Sequence, residues 1–354
     1  MLFWLWENYN INIFHYLTVR ALIGFFIAFL FTISAMPFFI NWAKSKKMRQ
    51  PIYEHAPKTH EGKKNTPTMG GLVFMAATLT ATLLCAKIND KYILASIFII
   101  ISFGTIGFTD DIGKIIGGNN TLGLSPRTKL VGQFLSATVA GCIIYFFADF
   151  PGTFYVPFVK YAIFDMGALA IIFWALVMVS SSNAVNLTDG LDGLATVPSV
   201  FAFVSLGVLI YITGNSVLSA YLFMPKIIGV GELTVVAFSI VGAMLGFLWY
   251  NSNPAEVFMG DTGSLPVGAL IGFMAIVSKS EILLIAIGFI FVIETLSVII
   301  QVASYRSRGK RVFLMAPIHH HFEMKRWAEN KIIVRFWIIS LLSNIIALLS
   351  IKIR

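Results

Sequence analysis

Residues 183–195 read NAVNLTDGLDGLA, two asparagines, two aspartates and two glycines pressed between long apolar runs. A polar patch between membrane-length segments is a poor packing device. It points to a soluble, charged substrate handled at the edge of a bilayer. Working outward, apolar runs fall at roughly 19–43, 69–88, 92–109, 128–148, 161–181, 195–213, 233–250, 263–278, 281–304 and 332–351. Each approaches the ~20 residues that a helix needs to cross the hydrocarbon layer. Strand alternation is absent, which argues against a barrel.

Composition agrees. The chain of 354 residues is 57% hydrophobic and 12% charged, against about 25% charged for an ordinary soluble domain, and its mean hydropathy is +0.82. The expected fold class is all-α: a polytopic integral membrane protein with about ten transmembrane helices, residues 1–354 forming one membrane domain. The net charge of +9 would suggest nucleic acid in a soluble chain. Here it reads as basic loops facing anionic lipid, with no nucleic-acid partner. Lys44, Lys46, Lys47, Arg49, Lys58, Lys63 and Lys64 follow the first apolar run, and Arg306, Arg308, Lys310, Arg311, Lys325, Arg326 and Lys331 follow the ninth. Lys114, Arg127 and Lys129 lie on the same side, and the opposite loops are poorer in basic residues. That side is therefore read as cytoplasmic, with both termini on the extracytoplasmic side. Cys85 and Cys142 lie inside apolar runs and read as small hydrophobes, with no disulfide or metal implied. Met1 to Tyr9 lacks the basic start of a removable signal peptide.

The polar constellations all fall on the cytoplasmic side, in loops at about 44–68, 110–127, 182–194, 251–262 and 305–331. Asp110 and Asp111 close the third helix in GFTDDIGK; adjacent carboxylates repel unless a cation or a shared proton relieves them. A magnesium or phosphate-chemistry site and a solvated helix end are both open for this pair. Asp189 and Asp192 are three apart, as are Asn183 and Asn186, so each pair shares a face on a helical turn. Capping the next helix is the simpler reading, but a cap needs one such residue and four are present. Asn251 and Asp261 bracket NSNPAEVFMGDTGS. There Asp261 is either a metal ligand or a helix cap, and Phe258 either stacks on a base or packs against its neighbours. His319, His320 and His321 in APIHHHFE cannot all point one way, so phosphate binding or proton transfer suits them better than a three-histidine metal site. Lys63 and Lys64 lead into TPTMGG, which includes Thr68, and helix-start amides there suit phosphate. Lys129 is a phosphate partner or a snorkelling anchor. Glu294 lies inside the ninth helix, where a carboxylate is costly and must face the bundle.

Taken in order, TPTMGG, the tandem aspartates, NAVNLTDGLDGLA, the Asn251–Gly263 loop and PIHHHFE resemble the polyprenyl-phosphate N-acetylhexosamine-1-phosphate transferase superfamily. PIHHHFE points to its muramoyl-pentapeptide branch. The motifs run from about Lys63 to Glu323, and residues before Arg20 lie outside the match. The resemblance implies a bacterial cytoplasmic-membrane enzyme with magnesium as cofactor. UDP-MurNAc-pentapeptide and undecaprenyl phosphate are its substrates, and lipid I and UMP its products. A second copy of the chain is a further candidate partner. The resemblance also implies that Asp261 holds the metal and that Asp110 and Asp111 serve the lipid phosphate or the metal–diphosphate. Asn183, Asn186, Asp189 and Asp192 would line the nucleotide-sugar site, with Phe258 on uracil. Lys63, Thr68, Lys129, Asn251, His319, His320 and His321 would hold phosphates or sugar. Two other readings compete. One is transfer of GlcNAc-1-phosphate from UDP-GlcNAc. The other is secondary transport of an anionic solute, although transporters favour polar groups at the midplane.

Overall fold

A computed structural model describes residues 1–46, 48, 66–117 and 122–353; Lys63 and the other basic residues of 49–65 lie outside them. Among the described residues eight helices are long and apolar enough to cross a membrane. They are α2 (Leu17–Ser45), α4 (Lys91–Gly117), α5 (Pro126–Cys142, continued as a wider turn to Phe147), α6 (Ala170–Thr188), α7 (Thr196–Gly214), α9 (Leu233–Asn251), α12 (Phe289–Arg308) and α14 (Glu329–Ser350). Two shorter apolar helices run with them, α3 (Gly71–Cys85) and α10 (Asp261–Val277). Small helices complete the chain: α1 (Leu2–Tyr9), α8 (Ser216–Tyr221), α11 (Leu284–Ile287) and α13 (Ile318–Met324). The expected ten apolar segments are all present in an all-α, multi-pass membrane architecture.

Several boundaries differ from the sequence reading. The third segment continues past 109 to Gly117, so Asp110 and Asp111 lie inside α4 rather than closing it. At ~1.5 Å per residue a helix of that length outruns the ~30 Å hydrocarbon layer, which carries its last turns to the boundary. The fifth segment begins at Ala170, not 161. A small hairpin precedes it, β1 (Thr153–Phe154) pairing antiparallel with β2 (Phe164–Asp165), Thr153 opposite Asp165. The ninth is broken at Gly288 between α11 and α12. PIHHHFE is not loop but the helix α13, begun by Pro317.

The bundle is built around α10. Every residue from Asp261 to Val277 is buried, and the helix packs against α3, α4, α6 and α7. A helix apolar on all sides belongs in the centre of such a bundle. The other long helices surround it, with α2 and α9 paired closely and α12 and α14 on the flank.

At the end of the bundle remote from Asp261, the starts of α2 and α9 and the end of α3 are tied by one guanidinium. Arg20 is 2% exposed and donates twice to Glu232, at 2.7 and 2.6 Å. It also donates to the Cys85 carbonyl at 3.2 Å. Removing one partner of a buried charge pair strands the other. Glu232→Ala should therefore lower stability by about 3–5 kcal/mol, read as earlier thermal unfolding in detergent. The double variant Arg20→Met/Glu232→Met should lose less than Glu232→Ala alone.

Candidate active site

The site forms where α10 begins. Its first N–H groups have no partner within the helix, and Gly260, in the left-handed region at φ +72°, turns the chain into it without a side-chain cap. Asp111 of α4 supplies that cap. One of its oxygens accepts from the Asp261 N–H at 3.2 Å. The other accepts from the Thr262 N–H at 2.9 Å and the Thr262 hydroxyl at 2.7 Å. α4 comes this close because residue 107 is glycine: a Cβ there would overlap the Asp261 carbonyl.

With Asp111 turned into α10, Asp110 faces the next sector and meets Asp261 across two ammonium groups. Lys114, one helical turn after Asp110, lies 2.7 Å from Asp110 Oδ2 and 3.2 Å from Asp261 Oδ2. Lys129, on the first turns of α5, is 3.4 Å from the same Asp110 oxygen and closer still to Asp261 Oδ2. Ser125 places Lys129 by capping α5, accepting from the Thr128 N–H at 3.1 Å with Pro126 at the first helical position. Asp110 Oδ1 accepts from the Leu124 N–H at 2.7 Å. Asn186 closes the far side of Asp261, its amide donating to Oδ1 at 2.7 Å and to Ser264 Oγ at 2.8 Å.

The stretch from Asn183 to Asp192 divides in two. Asn183 and Asn186 lie on the last turns of α6, and Asp189 ends that helix, so the four polar residues are not a set of caps for the following helix, which starts at Thr196. Asp189 is drawn into the cluster's field. Burial first, then the charges of Asp261, Asp111 and Asp192, push its carboxyl up to about 8. Asp192 turns the other way and accepts from Asn253 Nδ2 and the Ala255 N–H, both at 3.0 Å. Asn183 donates to Gln133 of α5 at 2.8 Å.

Other expected residues take varied places. Thr68 is buried with its hydroxyl unpartnered, close to Gly260. Asn251 is engaged at both ends of its amide, accepting from Thr196 Oγ1 at the start of α7 at 2.9 Å and donating to the Val257 carbonyl of its own loop at 2.9 Å. Phe258 is half-buried, and its backbone ties the 251–260 loop to Pro67 and Gly70. The three histidines diverge as the sequence required. His319 is buried against Glu294, 3.1 Å away, with Nε2 against Gly190. His320 meets Glu323 at 2.6 Å, and His321 accepts from the Leu314 N–H at 3.1 Å. One site residue escaped the sequence reading, Lys114 as a partner of the aspartates, and Asn186, expected to line the site, also hydrogen-bonds Asp261. The four-residue spacing from Asp110 to Lys114 on one helix was the available signal for Lys114.

The donor set suits magnesium. Among the described residues no group of three or more His, Cys, Asp or Glu is arranged to hold a metal alone, which leaves Asp110 and Asp261 as a converging pair of hard oxygen donors. Magnesium is commonly held by one or two carboxylates together with substrate phosphates and water.

Comparisons with known proteins show the family. The profile of glycosyl transferase family 4 matches residues 92–279, and the first phospho-N-acetylmuramoyl-pentapeptide-transferase signature matches residues 63–75. The phospho-N-acetylmuramoyl-pentapeptide-transferases of Campylobacter hominis and Sulfurimonas denitrificans are each 58% identical to the chain over 354 residues, the whole of both sequences. That of Wolinella succinogenes is 57% identical, again over all of both chains. These alignments include the residues before Arg20, which the motif resemblance had left out.

The Gly107 contact gives a test of the geometry. Gly107→Ala should leave the bundle folded but separate Asp261 from Asp110. Turnover, followed as nucleotide release from a UDP-linked donor, should fall on the order of a hundredfold, the cost of a misplacement near 1 Å.

Proposed function

The chain belongs to the phospho-N-acetylmuramoyl-pentapeptide-transferases within glycosyl transferase family 4, and we propose from that premise how its site works. The protein transfers phospho-MurNAc-pentapeptide from UDP-MurNAc-pentapeptide to undecaprenyl phosphate, giving lipid I and UMP. A phosphate oxygen of the lipid attacks the sugar-linked phosphorus, the bond to the UMP oxygen breaks, and UMP leaves with the electron pair. The lipid phosphate is already ionised at neutral pH, so direct displacement needs no strong base.

Phosphoryl transfer asks the protein for positioning and charge neutralisation more than for covalent chemistry. The observation that carries the reading is the sharing of two lysine ammoniums by Asp110 and Asp261 at the buried start of α10. Asp261, with Asp110, would hold magnesium, and magnesium when bound would neutralise the diphosphate and the departing UMP. Lys114 and Lys129 supply cations for phosphate oxygens, and Asn186 fixes the Asp261 carboxylate. Asp111 touches neither substrate and works through Asp261 as a positioning residue. Asp189 and Asn183 line the nucleotide-sugar side, with Phe258 beside the uracil, and Asp192 holds the Asn253–Ala255 turn of the same loop. Lys63, outside the described residues, would bind phosphate as the family resemblance implies. Asn251 ties the 251–260 loop to α7 rather than touching sugar, because both ends of its amide are engaged, by Thr196 and by the Val257 carbonyl. Lys44, Arg127, Arg306 and Arg308 lie at this end of the bundle, which supports its facing the cytoplasm across the bacterial inner membrane.

Purified protein in detergent with undecaprenyl phosphate and magnesium should release UMP from UDP-MurNAc-pentapeptide, not from UDP-GlcNAc, and a chelator should abolish release. UMP from UDP-GlcNAc alone would overturn the donor assignment. Asp261→Ala should cost at least about a hundredfold in turnover, the scale of losing one electrostatic stabiliser; retention within a few-fold would remove it from the metal site. For Asp111→Asn the expected loss in turnover is much larger than the loss in UDP-sugar affinity, and the reverse would make it a binding residue.

A further inference from the structure

Lys114 and Lys129 sit where a cation would have to bind. They come from different helices, α4 and α5, yet their ammoniums converge on the same two atoms, Asp110 Oδ2 and Asp261 Oδ2. Asp261 Oδ1 accepts from Asn186 at 2.7 Å, and Asp110 Oδ1 from the Leu124 N–H at 2.7 Å. The two Oδ2 atoms are where the carboxylates converge on shared cations, and a divalent ion held by both carboxylates would have to contend with the ammoniums there. An ionised carboxylate offers about two lone-pair sites per oxygen, and on Asp261 Oδ2 both ammoniums compete for them. A divalent ion arriving there would also meet two positive charges within a few ångströms, in a region where water screens poorly. Both lysines are largely covered, with side-chain exposures of 17% and 16%. Neither can simply swing into bulk water without a new acceptor. The phosphate oxygens of a diphosphate are such acceptors, and stronger ones per contact than neutral groups.

Resting on the reading of Asp261 as a cation ligand, we propose that Lys114 and Lys129 hold the cation's place on Asp110 and Asp261 and release it when a donor diphosphate takes their ammoniums. Cation and donor then bind as mutually dependent partners. By linkage, each raises the other's affinity by the same factor. The two lysines thus have two positions of use, carboxylate-bound without the donor and phosphate-bound with it. Lys114 becomes a substrate-binding residue that the motifs did not mark.

The test is Mn²⁺ binding to the full-length protein in detergent, with free Mn²⁺ read by electron paramagnetic resonance and no lipid acceptor present, so that nothing turns over. Without donor, Lys114→Gln and Lys129→Gln should each bind Mn²⁺ on the order of tenfold more tightly than wild type, because one competing charge is gone. Lys114→Arg keeps the charge and should bind as weakly as wild type. Adding UDP-MurNAc-pentapeptide should tighten Mn²⁺ binding to wild type well beyond the Mn²⁺ affinity of the free nucleotide. This gain should shrink in Lys114→Gln/Lys129→Gln. Equal or weaker Mn²⁺ binding by both glutamine variants, with Asp261→Asn abolishing it, would overturn the place-holder proposal and leave Asp261 as the ligand. Mn²⁺ binding unchanged in Asp261→Asn would overturn the metal assignment itself. Thermal unfolding of each variant identifies any that fails to fold, and the two glutamine variants, altered on different helices, test the same point independently.

Discussion

The start of α10 is a helix end buried in the middle of a membrane bundle, and its orphan N–H groups must find acceptors where there is no bulk water. Asp111 provides them from α4, with the neighbouring Thr262 hydroxyl as a third donor. An unsatisfied donor at such depth is expensive, so this contact fixes the height of α4 against α10. Everything else at the site inherits that height. Successive residues on a helix point about 100° apart. With Asp111 turned into α10, Asp110 is aimed past it, toward the lysines. The tandem aspartates are therefore two jobs on adjacent sectors of one helix, one joining helices and the other facing the chemistry.

Charge is the second constraint. Asp110, Asp111 and Asp261 gather around Lys114 and Lys129, which leaves an excess of negative charge in a poorly screened place. Beside them the Asp189 carboxyl is pushed up to about 8, by burial first and then by the charges of Asp261, Asp111 and Asp192. A site of this kind favours guests that bring positive charge to the carboxylates and negative charge to the lysines together. A metal–diphosphate pair does both. Its position at the helix ends also makes sense of the two substrates, since a lipid phosphate and a water-soluble nucleotide can meet only at the boundary.

The flank formed by α12, α13 and α14 holds the turn after α6 in place. Leu191 and Leu194 pack with Ile290, Ile332, Ile333 and Phe336, and the Trp337 indole donates to the Gly193 carbonyl at 3.1 Å. His319 is pressed against Gly190 and backed by Glu294, which is fully buried within α12. The intramembrane glutamate thus reaches the site through the histidine. His320 meets Glu323 within α13 and His321 ties the helix back to Leu314, while His319 touches the turn that carries Asp189 and Asp192.

By itself the sequence determined the class of fold, the number of apolar segments and the end of the bundle at which the chemistry gathers. Those depend on local quantities: the length of apolar runs, the placing of basic residues and the absence of strand alternation. Its motifs also held nearly all the residues that meet at Asp261. Only the tertiary structure decided what each of them does. Asp111 became a cap because Asp261, 150 residues further on, begins a helix beside it. Lys114 joined the site because α4 runs on for two turns past the point where its apolar run stops. Asn251, equally polar and equally placed in a motif, became a tie between its own loop and the start of α7. Helix ends and hydrogen-bond partners are settled by which backbone groups are left unsatisfied once the helices pack, and that balance is struck between segments far apart in the chain.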